Sequence, residues 1–461
     1  MDRQSHRPVD DAVKPQHSDV PRHGASTAGD PYLPHSGNGG YRVTRYELDL
    51  TYRISTNLLL GRARLSAVAT HSLTRFSLDL AGLRVTKVAV NGRRAQRFTT
   101  RGRKLHIWPE KPLPVGATIM VDVHYTGNPR PVRGMWGEVG WDELTDGALV
   151  ASQPNGAASW FPCNDHPSNK ASYRITLEAD SSYRVVGNGK LLSRTARGSR
   201  TTWVYDQPEP MATYLASVQI GAYEVVEVAK RPVRQQAALP QRLVRQFADR
   251  FARQPAMMSA FEKLFGPFPF PQYTVVIADD DLEIPVEAQA MSIFGADFLG
   301  GHGEERLIAH ELAHQWFGNS LTVESWQHIW LHEGFACYAE WLWSEQSGGP
   351  SAGQLAARHR ERLAELRQDL VIADPGPNLM FDDRLYKRGA LTLHALRCTV
   401  GDDSFFTMLH AWTATHRHGS VSTRQFIEHA EQYSARFLRN LFIPWLYEAA
   451  LPRLPATRPP R

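Results

Sequence analysis

The most constraining feature of this chain is a pair of histidines in the run from His310 to His314, which reads His-Glu-Leu-Ala-His. Residues four positions apart lie on the same face of an α-helix, one turn above the other, so both imidazoles can reach one ion. Apolar residues recur at helical spacing through the segment, and Gly318-Asn319 follows it as a C-terminal stop. The spacing therefore predicts a helix over residues 304–317 with two metal ligands on one face.

A third candidate ligand lies on the next apolar segment. Glu333 follows His314 after residues 315–332 and occupies the first turn of a predicted helix over residues 329–343. Two histidines and one glutamate, with a fourth position open for water, form a known ligand set of catalytic zinc. We therefore predict that His310, His314 and Glu333 bind one Zn²⁺ per chain. The alternative is that the two histidines are ordinary core residues with hydrogen-bond partners.

Two further acidic residues near this motif have predicted roles. Glu311 stays close to the ion without binding it, so we predict that it is the general base for a metal-activated water. Ligating histidines usually donate their second N–H to a carboxylate or carbonyl. Glu340, two turns beyond Glu333 on the same helical face, is a candidate for this contact, and a plain surface carboxylate is the alternative.

Length and composition limit the classes of protein that remain. A chain of 461 residues exceeds one ordinary hydrophobic core, so we expect more than one domain. Hydrophobic residues make up 42% and charged residues 21%, and no apolar run reaches the length of a membrane span. The net charge is +5, and the basic residues are scattered among acidic ones. The three cysteines lack the paired spacing of metal sites. We therefore expect reduced thiols and neither a nucleic-acid nor a membrane partner.

The polar and apolar pattern divides the chain into parts. Residues 1–38 are polar and lack the apolar stretch of a secretory signal, so we expect a disordered tail and a cytoplasmic protein. Period-two alternation begins at Tyr46–Ile54 and recurs in short runs, which predicts an all-β domain over residues 39–228. The runs are Phe76–Leu80, Val85–Val90, Lys104–Trp108, Ile119–Tyr125, Tyr173–Ala179, Tyr183–Val186 and Thr201–Tyr205.

Residues 229–461 are mostly helical by their periodicity. The stretch Arg231–Pro240 is expected to be a linker, and helical spacing of apolar residues follows it. A short buried strand is predicted at Thr274–Ala278, and amphipathic helices are predicted at Ala356–Leu370 and Ser404–His416. The expected fold class is therefore α+β, with an all-β domain followed by a mostly helical domain.

Several ordered blocks resemble the aminopeptidase N family of zinc metallopeptidases, the gluzincin aminopeptidases. Beyond the zinc motif they include an aromatic-proline-cysteine block, an aromatic-proline block and a tyrosine block. These are Trp160–Pro167 followed by Lys170-Ala171, Phe265–Phe270 and Tyr386–Leu391. The resemblance spans roughly residues 42–450. It implies a saddle-like β domain followed by a thermolysin-like zinc-peptidase domain.

The resemblance also implies roles outside the zinc motif. By resemblance, the Tyr386 hydroxyl stabilises the oxyanion, and Glu287 and Gln153 bind the substrate α-ammonium. The backbone from Val286 to Ala288 can pair with the substrate as an added strand. The alternatives are an ordinary core or surface tyrosine at position 386 and a solvated loop carboxylate at position 287.

Two departures from the family pattern concern the substrate. The family's exopeptidase motif, usually Gly-Ala-Met-Glu-Asn, corresponds here to Pro285-Val286-Glu287-Ala288-Gln289, which keeps the glutamate and loses the rest. The chain also resembles a short form that lacks the C-terminal helical domain of longer members, so we expect a more open cleft. Substrate-length preference is therefore not carried over.

The sequence as a whole predicts a zinc-dependent aminopeptidase acting on peptides with a free N-terminus. Two alternatives stay open: a zinc endopeptidase of broader substrate range, in which Glu287 has no ammonium partner, and a catalytically silent peptide-binding protein on the same scaffold. Complete zinc ligands together with Glu311 and Tyr386 favour an active enzyme. The pattern leaves the oligomeric state and the preferred N-terminal side chain open.

Overall fold

The computed structural model describes residues 22–300 and 305–455, in which a β-rich domain precedes a mostly helical one. This order confirms the α+β prediction. Residues 1–21 of the expected tail, and Glu304 at the expected start of the zinc helix, lie outside the described residues. Within those ranges, every helix is too short or too polar for a bilayer crossing.

The β domain consists of three sheets. Its strands, in chain order, are β1 (Arg22–His23), β2 (Tyr41–Arg53), β3 (Leu58–Ala69), β4 (Leu73–Asp79), β5 (Arg84–Val90), β6 (Arg93–Arg94), β7 (Arg97–Arg101), β8 (Lys104–Trp108), β9 (Thr118–Gly127), β10 (Val132–Gly134), β11 (Gly137–Leu144), β12 (Gly147–Ala151), β13 (Ala171–Asp180), β14 (Arg184–Gly187), β15 (Lys190–Arg197), β16 (Arg200–Met211) and β17 (Val218–Gly221). The sheet orders are β15-β16-β13-β2-β3-β9-β5-β6, β1-β4-β8-β7 and β10-β11-β12-β17-β14. Alternate residues of β2, such as Tyr46, Leu48 and Leu50, are buried, which explains the period-two signal.

The second domain combines a five-stranded sheet with helices. Its elements, in chain order, are β18 (Tyr223–Ala229), β19 (Arg234–Pro240), α1 (Val244–Arg250), α2 (Gln254–Phe265), β20 (Gln272–Ile277), β21 (Val286–Ala288), β22 (Met291–Phe294), α3 (Glu305–Ala313), β23 (Thr322–Val323), α4 (Trp330–Gln346), α5 (Ala352–Ala364), α6 (Asp383–Val400), α7 (Asp402–Thr415), β24 (Ser420–Val421), α8 (Thr423–Glu431) and α9 (Arg439–Phe442), followed by a π-helical turn at Ile443–Tyr447. The sheet order is β18-β19-β20-β22-β21, which leaves β21 at an edge. Helix α4 packs against both α3 and α6, so these three helices can present side chains to one site.

The structure corrects two boundaries that the sequence predicted. The expected linker Arg231–Pro240 contains β19, which pairs with β18 and β20 and is buried at Ala237, Ala238 and Leu239. Strand β18 belongs to the same sheet as β19 and β20. Helix α5 starts earlier than predicted, at a capping box after Ser351, and it ends at Ala364 rather than at residue 370.

Residues 24–38, here called the bridging segment, are packed rather than disordered. The preceding strand β1 pairs with β4 of the β domain. Within the segment, Asp30 is buried and accepts a hydrogen bond from the backbone N–H of Trp326 at 2.9 Å. The Tyr32 hydroxyl donates to Asp374, also in the second domain. The prediction of a disordered tail is therefore wrong for this segment, because contacts with distant residues order its polar sequence.

Candidate functional site

His310 in α3, His314 directly after the last residue of that helix, and Glu333 in α4 lie together, and α3 ends at Ala313 rather than at the predicted residue 317. Nε2 of His310 and Nε2 of His314 lie 3.4 and 3.5 Å from Oε2 of Glu333. One ligand atom from each of these residues lies within 4.8 Å of the other two. All three side chains are buried. The helix pair that the sequence predicted therefore presents two imidazoles and a carboxylate to a single point.

The arrangement fits a tetrahedral zinc ion. Zinc–ligand bonds of about 2.0–2.2 Å place neighbouring ligand atoms about 3.3–3.6 Å apart, which matches both distances to Glu333. The other ring nitrogens have partners, since His310 Nδ1 lies 2.8 Å from Glu340 Oε1 and His314 Nδ1 lies 3.0 Å from the Phe317 carbonyl. A proton on each Nδ1 leaves Nε2 as the ligand atom. The predicted contact of Glu340 is confirmed.

The charges of the site perturb one another strongly. Burial alone lowers the pKa of both histidines, but the surrounding carboxylates raise it to about 9 for His310 and about 10 for His314. Burial raises the pKa of Glu333, yet the two histidines hold it well below its usual range. With Glu287 and Glu311 also buried nearby, the site concentrates negative charge that a bound divalent cation compensates.

Glu311 lies beside the ligands with one oxygen unpaired. Its side chain is 5% exposed, and none of the described residues forms a hydrogen bond with its Oε2. Burial raises its pKa, and this effect outweighs the lowering by His310 and His314. A carboxylate in this position can take a proton from a water molecule at the site. The nearest ligand atoms of Glu311, Glu287 and His314 lie within 4.8 Å of one another.

Tyr386 reaches the site from the first turn of α6. Its ring stacks on that of His310, with centroids 6.0 Å apart and an interplanar angle of 14°. Burial, followed by the charges of Glu333, Glu287 and Glu311, raises the pKa of Tyr386 well above its usual value. The hydroxyl therefore keeps its proton and is available as a hydrogen-bond donor.

Gln153 and Glu287 meet across the domain boundary. Gln153 Nε2 donates to Glu287 Oε1 at 2.8 Å. Burial raises the pKa of Glu287 to about 7, although His314 acts in the opposite direction. Glu287 lies in β21, which pairs only with β22 in the described sheet, so its second edge near Val286 has no strand partner. The Ala288 carbonyl, in contrast, already accepts two side-chain amide hydrogen bonds.

Tyr214 is a neighbour of the site that the sequence analysis missed. It is 3% exposed, and burial together with the charges of Glu287 and Glu333 raises its pKa well above the usual value. Its hydroxyl donates to the Gly318 carbonyl at 3.3 Å. The phenol therefore helps to connect the β domain with the turn after α3. A single tyrosine after a strand carries no spacing signal that could have indicated this position.

Two domain models of one peptidase family match this chain. The peptidase M1 N-terminal domain matches residues 43–215, and the peptidase family M1 domain matches residues 251–445. The chain belongs to peptidase family M1. The M1 matches cover both domains and include all the site residues described above.

Curated M1 relatives share about a quarter of their aligned residues with this chain. Aminopeptidase M1-B of Oryza sativa subsp. japonica is 26% identical over 334 residues, which are 66% of this chain and 37% of the relative. Leucyl aminopeptidase of Saccharolobus solfataricus is 24% identical over 389 residues, which are 79% of this chain and 48% of the relative. The chain therefore spans less than half the length of these two relatives.

Solved M1 structures share the two-domain architecture. The M1 zinc metallopeptidase from Deinococcus radiodurans has a TM-score of 0.86 and 29% identity, with 94% of this chain and 100% of that chain covered. A variant of that enzyme was solved with the substrate Tyr-Ser-Ala bound. The yeast LTA4 hydrolase shares the fold, with a TM-score of 0.77 and 19% identity over 91% of this chain and 69% of that chain.

Proposed function

We propose that this M1 chain is a zinc-dependent aminopeptidase that removes N-terminal residues from peptides with a free N-terminus. The observation that carries the proposal is the Gln153–Glu287 pair beside the metal-ligand set. A buried carboxylate next to the reacting centre can bind an α-ammonium by a charge-assisted hydrogen bond, which an endopeptidase does not need. The names of the curated relatives and the tripeptide bound to the Deinococcus radiodurans variant support the same substrate class.

Each residue of the site has a role in this reaction. Zinc, when bound by the three ligands, supplies the Lewis acidity that makes water a nucleophile near neutral pH. Glu311 takes a proton from the attacking water at Oε2 and delivers it to the leaving amine. The Tyr386 hydroxyl donates a hydrogen bond to the oxyanion that develops on the scissile carbonyl.

Glu287 and Gln153 determine where the substrate begins. The α-ammonium donates to Glu287, and its positive charge favours the ionised carboxylate that burial alone opposes. The Gln153 amide holds Glu287 in place from the β domain. The unpaired edge of β21 accepts the extended peptide by backbone hydrogen bonds. Hydrolysis therefore occurs at a fixed distance from the ammonium.

Two peptides that differ only at the N-terminus test the proposal. We expect the zinc-loaded protein to cleave the free peptide at its first bond, at least about a hundredfold faster than the N-acetylated one. Glu287→Ala should remove most of this discrimination, because the acetylated peptide never had an ammonium to bind. A chelator should abolish cleavage and added zinc should restore it.

Other outcomes would identify the alternatives. Equal cleavage of both peptides, or cleavage at internal bonds, would identify an endopeptidase. Binding of the free peptide by the zinc-loaded protein without any hydrolysis would identify a peptide-binding protein. Either result would refute the aminopeptidase assignment.

A further inference from the structure

Lys170 is a buried cation that the proposed reaction does not use. It directly precedes β13 in the β domain and is 7% exposed. Its ammonium donates to three carbonyls of the second domain, those of Asn319 at 3.0 Å, Ser320 at 2.7 Å and Gly419 at 3.3 Å. Each of its N–H donors thus has an acceptor. None of the carboxylates in residues 22–300 and 305–455 forms an ion pair with it.

A buried ammonium without a counter-ion is a costly way to join two domains. Burial lowers the pKa of Lys170 to about 7, which reflects this cost. An apolar side chain would avoid it but would leave the Ser320 carbonyl without a donor, and the Asn319 and Gly419 carbonyls with only their hydrogen bonds from Thr322. The lysine is therefore best explained if the carbonyls that it holds need a fixed position. Two of them, at Asn319 and Ser320, belong to the turn that follows α3.

This turn is linked directly to the strand that carries Glu287. The side-chain Nδ2 of Asn319 donates to the Ala288 carbonyl at 2.9 Å, and Ala288 follows Glu287 in β21. Asn319 is fully buried, so its side chain has little room to adopt another rotamer. The contacts run from Lys170 to the Asn319 backbone, then through the Asn319 side chain to the edge strand.

We propose that Lys170 is a positioning residue, which holds Glu287 in place for the substrate ammonium through Asn319 and the Ala288 carbonyl. The inference rests on the proposed aminopeptidase function. Glu287 binds the ammonium in both the ground state and the transition state, so loss of its positioning raises KM more than it lowers kcat. A residue that only joined the domains would change stability without changing the preference for a free N-terminus.

The Lys170→Met variant of the full zinc-loaded chain tests this role, because methionine has a similar shape and no donors. We expect KM for an amino-acid amide to rise about tenfold, with kcat changed less than about threefold. The inhibition constant of L-leucine should also rise about tenfold, whereas that of N-acetyl-L-leucine should not change. Both inhibition constants are measured in one protein sample, so their ratio does not depend on the fraction of folded protein.

Asn319→Ala provides a second variant that keeps Lys170 and breaks the next link. It should produce the same loss of discrimination, and the double variant should lose little more, because both residues act in one chain of contacts. Ser325→Ala is the control. It removes another contact between the two domains, from Ser325 Oγ to Asp30 at 3.2 Å, without touching the turn, and should leave both inhibition constants unchanged.

The outcomes separate this inference from the function on which it rests. If Lys170→Met lowers the melting temperature but leaves the ratio of inhibition constants unchanged, Lys170 only joins the domains. An effect of Lys170→Met without any effect of Asn319→Ala would also overturn the proposed route. If the unmodified protein itself cleaves the free and the N-acetylated peptide equally, the aminopeptidase assignment fails instead.

Discussion

Replacing Glu340 by glutamine tests whether its charge supports zinc binding through His310. Glu340 Oε1 lies 2.8 Å from His310 Nδ1, and the residue is 6% exposed. Glutamine keeps an oxygen that can accept the N–H but removes the negative charge, so the imidazole becomes a less basic ligand. Partners of this kind contribute about 10- to 100-fold in metal affinity, or about 1.4–2.7 kcal/mol.

We expect Glu340→Gln to bind zinc about tenfold more weakly and Glu340→Ala, which also loses the hydrogen bond, about a hundredfold more weakly. Competition with a fluorescent chelator near neutral pH gives the dissociation constants, and circular dichroism monitors the fold. Glu345→Gln is the matched control, because Glu345 lies on the same helix and pairs with Arg397 at 3.0 Å rather than with a ligand. Unchanged affinity in both Glu340 variants would refute the reasoning.

Three further substitutions probe other parts of the molecule. Glu311→Gln should lower kcat by about 10²- to 10⁴-fold, while the zinc content, measured by mass spectrometry, stays at one ion per chain. A parallel loss of zinc would show that Glu311 also binds the metal. Arg388→Met should lower the free energy of unfolding in urea by about 2–3 kcal/mol, because the buried guanidinium donates to backbone carbonyls near the π-helical turn. An unchanged midpoint of urea unfolding would contradict this. Asp30→Asn should destabilise the protein near neutral pH. Burial raises the pKa of Asp30, but the contact with His166 Nε2 at 3.4 Å and hydrogen bonds from backbone N–H groups hold the pKa below its usual value. The stabilisation that ionised Asp30 contributes is therefore present above the unfolded-state pKa and is lost as the pH falls through the folded-state pKa. The difference in the free energy of unfolding in urea between the unmodified protein and Asp30→Asn should therefore shrink below about pH 4. A difference that persists undiminished at about pH 2 would refute this assignment.

The metal ligands were predictable because their arrangement is local. Helical periodicity places His310 and His314, four positions apart, on one face, and Glu333 in the first turn of the next helix joins them because α4 packs against α3. Glu340 follows from the same helical face. Gln153 and Glu287 differ, since 134 positions separate them and they lie in different domains. Only the family resemblance connected these two residues, and their roles in substrate binding stay proposals.

The strands were predictable where one face is exposed to solvent and the other is buried. Alternation in β2 and β9 gave a clear signal for this reason. Every residue of β15 is exposed, so its sequence has no alternation and the strand was missed. Strand β19 resembles a linker in composition, because its buried residues are mostly small or polar although it is paired on both sides. The order of the bridging segment was not predictable from its polar sequence, because the residues that it contacts lie far away along the chain.

The bridging segment also constrains the order of events while the protein is being synthesised. Asp30 and Trp326 are 296 positions apart, and Tyr32 and Gly376 are 344 positions apart. At about 5–20 residues per second, the segment leaves the ribosome roughly 15–70 s before its partners do. Its docking is therefore a late step in biogenesis. In stalled nascent chains, it should resist protease only after residue 376 has cleared the exit tunnel.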